Sequence, residues 1–95
     1  MAKAQDKELA KALKLIRLYS NMKSATLAEK IGLSSGYTSE IEGGLKTVSI
    51  DILKRYEKVF GIEPQFIMTF ADKLKNKKGL EKKIFENMIK TVVEF

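Results

Sequence analysis

The sequence predicts an all-helical protein, and three observations carry that expectation. Apolar residues recur three and four positions apart over most of the chain, with almost no β-branched alternation. Proline occurs once, at Pro64. Asp6, Ser34, Ser49 and Pro64 stand where apolar-periodic stretches begin, and Asn21, Gly32, Gly43-Gly44 and Gly61 stand where they end.

The first helix takes Asp6 as its N-cap, with Leu9, Leu13 and Ile16 inward, and ends near Ser20-Asn21, where asparagine tolerates a left-handed backbone. The second runs from Ala25 to Ile31 with Leu27, Ala28 and Ile31 inward, and Gly32 stops it. Ser34 caps a third helix reaching about Glu42, terminated by Gly43-Gly44. Ser49 caps a fourth, whose inward positions are Ile52, Leu53, Tyr56, Val59 and Phe60, closed by Gly61. Pro64 is pre-organised for the first position of a fifth helix that continues to about Leu74. Lys75-Asn76-Lys77-Lys78-Gly79 reads as a solvated linker, and a sixth helix follows from Leu80 to about Val93. The 95 residues make one compact unit, 1–74, with an added linker and helix, 75–95.

Composition narrows the function. The chain has no cysteine and no histidine, which removes disulfides, thiolate and imidazole metal ligands, and the commonest nucleophiles and proton shuttles. With no glycine-rich phosphate loop either, the expectation is a protein that is not an enzyme and uses no metal, cofactor or small-molecule substrate. The N-terminus lacks an apolar signal region, and no apolar run approaches the roughly 20 residues that span a bilayer. A soluble, cytoplasmic protein without a membrane partner is expected. The net charge of +6 suits a polyanion, although a lysine-rich solvated surface accounts for it equally well. Residues 1–43 carry +2, residues 44–64 carry +1 and residues 65–95 carry +3, so charge alone marks no particular segment.

Two short helices joined by a tight turn occupy Ser24 to Gly44. Ala28 is small where the helices cross, and Gly32 supplies the positive φ of the turn. Leu27, Ile31, Leu33 and Ile41 pin both helices to one core, leaving the outer face of the second exposed. This stretch resembles the lambda-repressor-like helix-turn-helix family, also called the Cro or xenobiotic-response-element (XRE) type. The resemblance rests on Leu27-Ala28-Glu29-Lys30-Ile31-Gly32-Leu33-Ser34, then Ile41-Glu42 followed by glycine, Ser49-Ile50-Asp51-Ile52-Leu53, and Phe60-Gly61-Ile62. It covers roughly residues 9 to 70.

The resemblance implies a five-helix domain, here with an extra C-terminal helix, whose third helix enters the major groove of double-stranded DNA. The exposed positions of that helix would be Ser35, Gly36, Ser39, Glu40 and Gly43. Further DNA contacts are expected from Lys23, Ser24 and Thr26 at the start of the second helix. Ser34 and Tyr37 would add to the third, and Lys46 and Thr47 in the loop beyond it would reach phosphate. Arg17 and Glu42 would form a structural ion pair between the first and third helices. The chain departs from the family pattern at Ser24, where glutamine is usual, and at Ser35 and Gly43, where a cation is frequent. Its reading face therefore lacks the arginine-to-guanine contact. Serine can meet a base as donor or acceptor, and Glu40 either accepts from a cytosine amine or is a solvated carboxylate.

Beyond the family domain, Ile84, Met88 and Val92 form one row and Phe85, Ile89 and Val93 another, a broad apolar stripe. It either completes the core of its own chain or pairs with a second copy; the second reading makes the protein a homodimer with Ile84, Phe85, Met88, Ile89 and Val92 at the interface. The leading expectation is a sequence-specific transcriptional regulator, a repressor of phage, mobile-element, antitoxin or restriction-control type. The rival is a helix-turn-helix protein-interaction module, an antitoxin or anti-regulator that grips a protein partner.

Overall fold

The computed structural model describes residues 4–76 together with Lys83, Ile84, Glu86 and Asn87, and side chains from Lys7 to Lys75 and at those four positions. Five helices follow in order: α1 Ala4–Tyr19, α2 Ser24–Ile31, α3 Ser35–Glu42, α4 Ile50–Phe60 and α5 Pro64–Asn76. α1 begins two residues before Asp6, so Asp6 lies in its first turn and not at the N-cap. α2 starts one residue earlier than the spacing predicts, at Ser24, and α5 runs two residues past Leu74 into the expected linker. Lys83, Ile84, Glu86 and Asn87 are helical, within the expected sixth helix; the rest of that helix, with Phe85, Met88, Ile89 and Val92, lies outside the described residues.

Backbone termini explain why the helices stop where they do. Asn21 (φ 56°), Gly32 (φ 74°) and Gly44 (φ 81°) each follow a helix in the left-handed region. In each case the next N–H reaches back five residues to an orphan carbonyl: Met22 to Arg17, Leu33 to Ala28, and Leu45 to Glu40. Gly61 closes α4 by a single bond from its N–H to the Glu57 carbonyl. At the other ends, Ser34 Oγ accepts from Tyr37 N–H at 3.1 Å and Ser49 Oγ from Ile52 N–H at 3.2 Å.

α1 packs along α5, α2 on α3 and α4, and α4 on α5, enclosing Leu13, Leu27, Ile41, Leu53, Tyr56, Ile67 and Leu74. Leu33, Val59 and Phe60 are only partly buried at the edge of this core. The expected inner faces are otherwise those seen, with Leu9, Ile16, Ala28, Ile31 and Ile52 all buried.

Candidate nucleic-acid interface

α3 has the sequence Ser-Gly-Tyr-Thr-Ser-Glu-Ile-Glu, with Ile41 its only aliphatic side chain. Hydrophobic burial alone therefore anchors this helix weakly, and polar contacts complete the attachment. Thr38 is fully buried and returns its hydroxyl to the Ser34 carbonyl at 2.9 Å. Glu42, the last residue, is held from two sides. Arg17 Nε of α1 donates to one carboxylate oxygen at 2.8 Å, and the Tyr56 hydroxyl of α4 donates to the other at 2.8 Å. Arg17 Nη1 also donates to the Met22 carbonyl at 2.8 Å, fixing the turn that leads into α2. The side chains of Arg17 and Glu42 are 11% and 5% exposed. Burial, and then the adjacent Glu42 charge and hydrogen bond, hold the Tyr56 hydroxyl protonated far above the ordinary phenol range.

The opposite face of α3 is open. Ser35, Gly36, Ser39, Glu40 and Gly43 are exposed, and a Cβ built on Gly36 meets nothing within 4 Å. A Cβ at Gly43 would come 3.1 Å from the Ser39 carbonyl, so the missing side chain there relieves crowding at the helix end. Ser34 spends an acceptor lone pair on its cap, which leaves its hydroxyl proton available to donate. Lys46 Nζ lies 5.9 Å from the centroid of the Tyr37 ring, a cation–π approach that brings the loop after α3 over that helix. Thr47 is exposed beside it.

At the start of α2, Lys23 occupies the N-cap position without a capping side-chain bond, and helix geometry leaves the first N–H groups without intrahelical acceptors. Ala25 and Thr26 are exposed there. The Ser24 hydroxyl oxygen is shut off from solvent and has no hydrogen-bond partner among the described residues, so its backbone N–H is what this residue can present. The structure thus brings Lys23, Thr26, the outer residues of α3, Tyr37, Lys46 and Thr47 into the exposed set, with Ser24 turned inward.

The apolar spacing marks Tyr56 only as a core position and gives Arg55 no role. A tyrosine buried in a helix core must find a partner for its hydroxyl, which was the available signal. Arg55 Nη1 donates to the Ile31 carbonyl at 2.6 Å and its Nε to Asp51 at 2.9 Å, so it secures the end of α2 where the turn begins. Of the apolar stripe beyond α5, Ile84 is about half exposed, and Lys11 Nζ of α1 pairs with Glu86 at 3.0 Å.

Two short helices locked at Gly32, the second buried on one side and bare on the other, define a helix-turn-helix protein. The model of the helix-turn-helix family matches residues 13–67, and the chain belongs to that family. Among its relatives is control protein C.BamHI of Bacillus amyloliquefaciens, 35% identical over 52 residues. That match covers 55% of this chain and 64% of the relative, so the chain spans somewhat less than two thirds of the relative's length. No solved structure matches the chain.

Proposed function

We propose that this protein binds double-stranded DNA through the outer face of α3 and regulates transcription, as a repressor of the control-protein kind. The observation that carries the reading is the exposed face of Ser35, Gly36, Ser39 and Glu40, with Lys23 and Lys46 exposed at the α2 start and in the following loop, on a helix clamped from behind. With no cation on that face, the serines and Glu40 would discriminate bases and the flanking lysines and α2 N–H groups would hold phosphate. Two copies would occupy a site of two-fold symmetry, with half-sites about one DNA turn apart. Selection of bound sequences from a random duplex library tests this: a palindromic consensus with steep salt dependence supports it, and no enriched sequence overturns it.

A second reading has one observation in its favour. The same cation-free face suits a protein partner as a helix-turn-helix interaction module. Duplex binding that is weak, unselective and insensitive to Lys46→Ala would favour that alternative.

A further inference from the structure

We infer that Tyr56 is a positioning residue for the reading helix, setting the angle at which α3 meets a duplex; this rests on the DNA-reading role proposed above. α3 has one aliphatic anchor, Ile41, and Thr38 spends its hydroxyl on its own helix, so neither fixes rotation about the anchor point. Glu42 does. Its two carboxylate oxygens are bonded to different helices, Oε1 to α1 through Arg17 and Oε2 to α4 through Tyr56. A single bond leaves a carboxylate free to pivot, whereas two bonds from different helices fix its plane and with it the end of α3. Ser35 stands seven residues from Glu42, about 10 Å along the axis. A swing of about 10° at the Glu42 end moves Ser35 by roughly 2 Å, several times the roughly 0.5 Å within which a recognition geometry must be held. Tyr56 is fully buried, and its hydroxyl donates to this carboxylate, so it has no surface of its own to offer a duplex.

Phosphate attraction tolerates such a swing, but base reading does not, so the signature is a loss of selectivity and not of binding as such. The test is titration of the full chain and of Tyr56→Phe with the selected duplex and with a scrambled duplex of equal length, far below the melting temperature of either protein. Affinity for the selected duplex should fall about tenfold, in keeping with one hydrogen bond to a charged group, while the scrambled duplex changes less than about twofold. Amide hydrogen exchange of the same pair should show faster exchange in α3 with α5 still protected. Equal losses on both duplexes, no loss on either, or uniformly faster exchange would overturn the assignment. Were Tyr56→Phe not to fold, Glu42→Gln, which exchanges one acceptor oxygen for a donor, is read by the same two measurements. If the unaltered protein prefers no duplex, the DNA-reading proposal fails, and the exchange pattern alone decides whether Tyr56 holds α3.

Discussion

On the inner face of α3, Thr38, Ile41 and Glu42 are buried, and both polar side chains are hydrogen-bonded. On its outer face Ser35, Gly36, Ser39 and Glu40 are exposed, and the side chains of Ser35, Ser39 and Glu40 show no hydrogen bond among the described residues. The two faces share one backbone of eight residues, so any freedom on the inner side is transmitted whole to the outer one. Attachment by a bonded carboxylate is directional in a way that attachment by an aliphatic side chain is not. The helix can therefore be nearly devoid of apolar residues and still hold one orientation, and its outer residues can vary at little cost to stability.

The contrast is most easily broken from the inner side. Arg17→Ala would leave an almost wholly buried carboxylate without its countercharge and the Met22 carbonyl without its donor. A loss of about 1–3 kcal/mol is expected in urea denaturation. Lost duplex binding at full stability would instead make Arg17 a phosphate contact and sink the clamp reading.

Alkaline pH probes the same clamp. The folded state binds the Tyr56 proton more tightly than the unfolded chain, whose phenol titrates near pH ~10. Its contribution to stability is thus complete below that pH and is lost as the pH rises beyond it. The urea midpoint should fall more steeply above pH ~10 in the unaltered protein than in Tyr56→Phe; identical slopes would show that the hydroxyl is not coupled to folding.

Gly32 joins the two faces' supports, because α2 must turn there for α3 to cross it. Gly32→Ala forces a side chain into the left-handed region and brings its Cβ 3.4 Å from Arg55 Nη1. Thermal melting should show a loss of about 1 kcal/mol. A variant as stable as the parent would mean that the turn relaxes to another conformation.

The smallest energetic effect is expected on the outer face, where it sharpens the comparison most. Ser39→Ala combined with Glu40→Ala should shift stability by no more than about 0.5 kcal/mol while changing which sequences are enriched from a duplex library. Unchanged preference would remove this face from the proposed interface.

Local chemistry was legible in the amino-acid order. Ser34 and Ser49 bond N–H groups three residues on, and Asn21, Gly32, Gly44 and Gly61 end helices through bonds that reach back no more than five residues. Such interactions depend on residue types at short spacing, so the sequence by itself determined where these helices run and which faces turn inward. It failed where Asp6 was read as a cap, because helical backbone continues ahead of it to Ala4. The pairing of Arg17 with Glu42 came from likeness to a family and not from spacing. Only the tertiary structure decided that Tyr56 meets Glu42 across 14 residues, that Arg55 reaches the Ile31 carbonyl across 24, and that the Ser24 hydroxyl is enclosed. Burial obliges a polar group to find a partner but does not name it; which group arrives is set by how the helices cross.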